Sequence, residues 1–327
     1  MFGTFRSDFA ARARVSQGRS LSPILASKTD LVLSHAFLRY SGLYPPPYGP
    51  SSSSTSTPTS SSFLCSISSL REFHLSRLLT YAQDRATWSN IDWICFETIP
   101  LVREALAIRL AMRGLEETLD RTYGPGEGRK QVWMAFVFPG GNFPDGSTVE
   151  DVVGSSVLPE PWGTRSELSF KDKLQGEDGT ESSFSGRLPI PDAIGINCTS
   201  PAHIRQLGRE FTRYLGDILT SGQLEKADES IGFVLYPDGG LVYDTTTRSW
   251  SVPTGVPTAG QEGGNWATNV AMVAREVGES TRTTSSAGGA KGEEKRVWGG
   301  GVLVGGCCKN GFGEIRGLRN ELKPQSG

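Results

Sequence analysis

Short apolar runs, each followed by apolar residues at helical spacing, organise this chain from about residue 70 onward. Leu70, Phe73, Leu75, Leu78 and Tyr81 form a stripe that predicts a helix running through Ala86. The run Ile91-Asp92-Trp93-Ile94-Cys95-Phe96-Glu97-Thr98-Ile99-Pro100 then reads as a strand ending in a carboxylate, and Val102, Leu106 and Leu110 supply the helix after it. Val132-Trp133-Met134-Ala135-Phe136-Val137-Phe138, closed by Pro139-Gly140-Gly141, predicts a second strand, with a helix starting near Thr148. A third unit joins Ala193 to Asn197 with the amphipathic face Ile204, Leu207, Phe211, Leu215 and Ile218. Gly232 to Tyr236 with Trp266 to Val277, and Gly301 to Val304 with Ile315, Leu318 and Leu322, complete five β/α units. Such a series predicts a parallel sheet with helices outside it. No solenoid-type repeat is visible.

Polar segments interrupt the pattern. Ser51 to Ser62 is almost pure Ser/Thr and predicts a disordered loop, and the prolines of Tyr44-Pro45-Pro46-Pro47-Tyr48-Gly49-Pro50 before it favour extended chain. Stretches near 159–189, 222–230 and 278–295, rich in Gly, Ser, Glu and Lys, read as surface insertions. Residues 1–30 carry no element that the pattern assigns.

A chain of 327 residues is long enough for one α/β barrel, which needs roughly 250, or for two smaller domains. A formal net charge of -2 gives no electrostatic reason to expect nucleic acid or an anionic membrane as partner. No stretch approaches the roughly 20 apolar residues of a membrane span, and the N-terminus lacks the apolar segment of a secretory signal. The expected location is the cytoplasm. Arg6, Arg12, Arg14 and Arg19, opposed only by Asp8, offer mitochondrial targeting as the weaker alternative. Five cysteines, an odd count, agree with a reducing compartment and argue against a disulfide framework.

Three of those cysteines carry the candidate chemistry. Cys198 follows the run Ala193-Ile194-Gly195-Ile196-Asn197, and Cys307 and Cys308 follow Gly301-Val302-Leu303-Val304-Gly305-Gly306. In a parallel sheet both positions emerge at the C-terminal edge, where α/β folds place their chemistry. Three thiolates suit Zn²⁺, and a tetrahedral ion with three protein ligands keeps a fourth position for water or substrate. Gly305 and Gly306 are expected to let the backbone turn sharply beside the vicinal pair. Two buried core cysteines and an unrelated third are the alternative. Glu97, Asn197 and Tyr236 share the same edge. Glu97 suits a charge-assisted bond to a substrate ammonium, or the positive end of the next helix. Asn197 suits fixing the Cys198 loop or turn chemistry, and Tyr236 suits a substrate wall or packing. Cys95 lies on the face of Glu97 and reads as core, Cys65 has no visible partner, and His35, His74 and His203 are scattered.

Four motifs in this order, Phe96-Glu97-Thr98-Ile99-Pro100, Gly195-Ile196-Asn197-Cys198-Thr199-Ser200-Pro201, Tyr236-Pro237-Asp238-Gly239-Gly240 and Gly305-Gly306-Cys307-Cys308, resemble those of the homocysteine S-methyltransferase family, over a stretch from near Phe73 to Leu322. The resemblance implies a (β/α)8 TIM-type barrel over 31–327, with Cys198, Cys307 and Cys308 binding Zn²⁺. It also implies homocysteine as substrate, its amino group held by Glu97, with S-methylmethionine or S-adenosylmethionine as methyl donor. Asn197 and Tyr236 complete the implied substrate contacts.

The family normally opens with a strand carrying Asp-Gly-Gly, and nothing before residue 90 contains it, so the barrel is expected to be incomplete at its N-terminus. Leu31-Val32-Leu33-Ser34 is the candidate remnant of an early strand. Lys309-Asn310-Gly311 also departs mildly from the family pattern. Two functions follow: zinc-dependent methyl transfer to homocysteine, giving methionine, or a truncated, inactive zinc-binding homologue with a binding or regulatory role.

Overall fold

The computed structural model describes residues 13–15, 31–33, 67–159, 187–225, 230–240, 242–244, 249–251, 266–283 and 294–323. The Ser/Thr loop at 51–62, His35, Cys65 and most of the insertion at 159–189 lie outside them.

The strands are β1 (Ala13–Val15), β2 (Leu31–Leu33), β3 (Trp93–Ile99), β4 (Gln131–Phe136), β5 (Ala193–Asn197), β6 (Gly232–Tyr236), β7 (Val242–Asp244), β8 (Ser249–Ser251), β9 (Thr281–Thr283), β10 (Glu294–Arg296) and β11 (Val302–Val304). The helices are α1 (Ile67–Ala82), α2 (Arg85–Ser89), α3 (Val102–Tyr123), α4 (Val149–Val157), α5 (Ile204–Thr220), α6 (Trp266–Glu279) and α7 (Phe312–Leu322). The single helix expected from Leu70 through Ala86 is broken, because the Asp84 carboxylate accepts from the Ala86 N–H and starts α2 afresh. The helix expected from Thr148 is present as α4, with a reciprocal cap between Thr148 and Asp151.

Seven strands form one sheet in the order β1-β11-β6-β5-β4-β3-β2. Every neighbouring pair from β2 to β11 is parallel, and β1 pairs antiparallel with β11, Ala13 opposite Val304. The five predicted units are the centre of this sheet, and Leu31–Leu33 is a strand beside β3. Residues 13–15, to which the sequence pattern assigned nothing, cover the β11 edge. The protein is therefore α/β, built on a predominantly parallel sheet. Among the described residues no pairing joins β1 to β2, so barrel closure is not seen there. The polar stretch 278–295 is not wholly irregular either: β9 and β10 pair as an antiparallel ribbon at its two ends.

Helices lie against one face of the sheet. Ile94, Phe96, Val132, Met134, Phe136, Ile194, Ile196, Phe233, Leu235, Val302 and Val304 point to that side and join residues of α1 and α3 to α7 in one core. Period-2 alternation sends the intervening residues to the other face, where Cys95, Trp133, Ala135, Ala193, Val234 and Tyr236 form a smaller cluster with Trp93, Leu303 and Cys307.

Within the helical layer, Arg109 of α3 is fully buried. Its guanidinium donates to the carbonyls of Ser155, Leu158, Leu188 and Pro189 at 2.6 to 3.2 Å. Those contacts tie α4 to the segment that re-enters the sheet at β5. Burial, with a smaller effect from Arg187, pushes its pKa down to about 9. A second buried link joins His74 of α1 to Glu104 of α3 at 3.0 Å, so His74 serves helix packing.

Candidate metal centre

The C-terminal ends of β3, β5, β6 and β11 bring all six predicted residues into one connected patch. The Cys198, Cys307 and Cys308 sulfurs lie within 4.8 Å of one another. Cys307 and Cys308 sulfurs are 3.8 Å apart, while Cys198 and Cys307 are joined as a disulfide with Cα atoms 5.5 Å apart. The odd cysteine count gave no reason to expect that bond. Its cause is proximity, since thiols close enough to share one ion are close enough to bond to each other.

These residues fit a zinc ion. Tetrahedral bonds of about 2.3 Å place sulfurs about 3.8 Å apart, as Cys307 and Cys308 already are. Reduction frees the thiolates of Cys198 and Cys307 to complete the set. No fourth side chain joins the group among the described residues.

Backbone hydrogen bonds hold the three loops together. The segment 237–239 is the central post: Pro237 O accepts from Cys307 N–H and Gly239 N–H donates to Cys308 O, both at 2.8 Å. On its other side Asp238 N–H donates to Thr199 O, and Cys198 N–H donates to Tyr236 O. Asn310 adds a side-chain strut, its Nδ2 donating to Pro237 O at 2.9 Å. Gly305 and Gly306 therefore act differently from expectation. Neither has positive φ, but a Cβ on Gly306 would lie 2.8 Å from the Asn310 Cβ. Its missing side chain makes room for the strut rather than for a sharp turn.

Backbone strain gathers at the same place. Among the described residues the non-glycine residues with positive φ are Thr98 near the end of β3, Cys198 after β5 and Lys309 beyond β11, all in segments around the sulfurs. At Thr98 the β3–β4 register slips: Phe96 pairs with Met134, but the next pairing is Ile99 with Phe136. This bulge re-aims Glu97 and Thr98 at the strand end.

Asn197, expected to fix the Cys198 loop or to touch substrate, spans to Thr98. Its Nδ2 donates to Thr98 Oγ1 at 2.8 Å and its Oδ1 accepts from Thr98 N–H at 2.9 Å. Tyr236 is buried, and its hydroxyl accepts from Trp133 Nε1 at 3.2 Å and donates to Glu97. Burial, then the Glu97 and Cys95 charges, raises the Tyr236 pKa well above the usual phenol value, so the group stays a donor. Glu97 is half-buried at the open end of this chain. Cys95 is fully buried on the same face, as expected of a core residue. His203 is the residue preceding α5 and does not join the sulfur cluster.

Trp133 and Thr98 are the residues that sequence reasoning missed. The signal for Trp133 was its register, since it alternates with Val132 and Met134 and so faces Tyr236 rather than the helices. Nothing marked Thr98, because a threonine in an apolar run reads as an ordinary strand residue.

No helix among the described residues is long and apolar enough to cross a membrane. None of the curated proteins matches the chain. Among solved structures, the homocysteine methyltransferase MmuM from Escherichia coli is similar in its oxidized form, with 17% identity over 79% of this chain and 53% of that one, TM-score 0.35. Its metallated form gives 16% identity, 80% and 54% coverage, and TM-score 0.34. The chain thus spans about half the length of these structures. A family model described as homocysteine S-methyltransferase matches residues 44–322, most of the sequence. The chain belongs to the homocysteine S-methyltransferase family.

Proposed function

We propose that this protein is a zinc-dependent enzyme transferring a methyl group from a sulfonium donor, S-methylmethionine or S-adenosylmethionine, to the thiol of homocysteine. The observation that carries this reading is the sulfur cluster of Cys198, Cys307 and Cys308 at one edge of a parallel sheet. Bound zinc supplies a fourth position at which a substrate thiol loses its proton at neutral pH.

The chain's own residues do the rest. Glu97 holds the homocysteine ammonium with a charge-assisted bond, steadied by Tyr236 and, through it, by Trp133. Asn197 braces the Cys198 loop through Thr98. The substrate sulfur attacks the donor methyl carbon with its lone pair, the old carbon–sulfur bond breaks towards the sulfonium sulfur, and two neutral thioethers remain. The thiol proton leaves to solvent, so no general base is needed.

We further propose that the sheet belongs to a (β/α)8-type barrel. Among the described residues helices cover one face, and the other carries Trp93, Cys95, Trp133 and Tyr236, the mixed lining of a closed interior rather than the second helix-covered face of an open sheet. A zinc-binding homologue without turnover is the rival reading. The reduced, zinc-loaded protein should form methionine from homocysteine with at least one of the two donors. Zinc uptake without methionine from either would decide for the rival.

A further inference from the structure

Resting on the reading of Cys198 as a zinc ligand, the geometry around it assigns a role to Thr98. We propose that Thr98 is a positioning residue whose hydroxyl, aimed by the Asn197 amide, donates to the Cys198 sulfur and moderates the charge which that sulfur gives a bound metal.

Thr98 Oγ1 lies 3.8 Å from Cys198 Sγ, and both residues are buried. The direction of the hydroxyl proton follows from its other partner. Asn197 Nδ2 has only hydrogens to give, so Thr98 Oγ1 accepts from it at 2.8 Å and must turn its own proton elsewhere. The sulfur is the acceptor within reach. Asn197 Oδ1 accepts from the Thr98 N–H as well, which clamps the residue at two points and fixes both its backbone and its rotamer.

The clamp joins β3 to β5 across the end of β4, the strand between them. Asn197 adjoins Cys198 in sequence, so the ring of contacts closes on the ligand itself. It holds Thr98 at φ 60, a conformation unfavourable for a β-branched residue. Strained residues persist where surrounding contacts over-determine them, and they gather at functional sites. Hydrogen bonds to a ligating group orient it and tune how strongly it donates to the metal.

Thr98→Val keeps the branched shape and removes the donor, whereas Thr98→Ser keeps the donor. In reduced protein, Thr98→Val should weaken zinc binding about tenfold in competition with a chelator. In the cobalt-loaded protein the same change should move the sulfur-to-metal charge-transfer band to lower energy, because a thiolate without its hydrogen bond gives electrons more readily. Thr98→Ser should restore both. A valine variant that melts earlier but keeps zinc affinity and band position would overturn the proposal, since a merely structural residue does that. Should the valine variant not fold, cadmium-loaded wild-type protein supplies the second measurement by NMR. An exchange-protected Thr98 hydroxyl proton coupled to the metal supports the assignment, and a freely exchanging, uncoupled one overturns it. Wild-type protein that takes up no zinc when reduced would overturn this role together with the metal reading beneath it, whereas normal uptake with an unmoved band overturns this role alone.

Discussion

On the helix-facing side of the sheet the strands present Ile94, Phe96, Met134, Phe136, Ile196, Phe233 and Val304, all packed into one continuous core. On the other side the same strands present Trp93, Cys95, Trp133 and Tyr236, a small cluster that ends at a carboxylate and three sulfurs. Large aliphatic and aromatic groups fill the first face by volume alone, and many sequences could do so. The second is held by directional contacts, Trp133 to Tyr236 to Glu97 and Asn197 to Thr98 to Cys198, which few side chains can replace. Damage to the first face should therefore appear as lost stability, and damage to the second as lost chemistry in a folded protein.

The sharpest division is expected at the metal. Cys307→Ser or Cys308→Ser under reducing conditions should lower zinc from one ion per chain to almost none, with the far-ultraviolet dichroism unchanged. Full zinc content in either variant would remove the metal centre from the second face. Arg109→Met tests the other side. It leaves the carbonyls of Ser155, Leu158, Leu188 and Pro189 without their donor and should cost about 3–5 kcal/mol in denaturant unfolding. Zinc content should hold as long as the protein stays folded, and a variant that loses metal first would mean the two layers are not separable.

Glu97→Gln should weaken homocysteine binding by about 1.5–3 kcal/mol while zinc stays bound, because the amide keeps an acceptor but not the charge. Calorimetric titration of the zinc-loaded protein checks this. An unchanged affinity would return Glu97 to the role of a charge beside the N-terminus of α3.

How far these two faces could be read from sequence follows from the same contrast. Periodicity exposed the packed face, because apolar residues repeating at two or 3.6 positions are what burial against helices requires. The cysteines were legible too, since their place after two apolar runs fixes them to one sheet edge. The short polar strands Thr281–Thr283 and Glu294–Arg296 were not, because their pairing uses backbone groups and buries little. Arg109 carried no signal in the sequence, because its four acceptors lie 46 to 80 residues away. Asn197 was placed at the right edge with fixing of the Cys198 loop among its readings, but its partner Thr98 was not legible, because that contact depends on a register slip that no local pattern announces.

The smallest expected effect separates packing from wiring within a single side chain. Tyr236→Phe keeps the ring in place between Trp133 and the Cys307 loop and removes only the hydroxyl, which should cost about 1 kcal/mol at neutral pH. The pH dependence distinguishes this from a loss of packing. Because burial and the Glu97 charge raise the folded pKa of Tyr236, the unfolded chain releases this proton first, at about 10. Above that pH the folded state binds more protons than the unfolded state, so stability falls as pH rises until the folded pKa is passed. Denaturant unfolding of the wild type between pH 9 and about 11 should show this decline, and the phenylalanine variant should show a shallower one. Parallel curves for the two proteins would mean that the Tyr236 hydroxyl is solvated in the folded state, and that the chain from Trp133 to Glu97 does not hold the carboxylate.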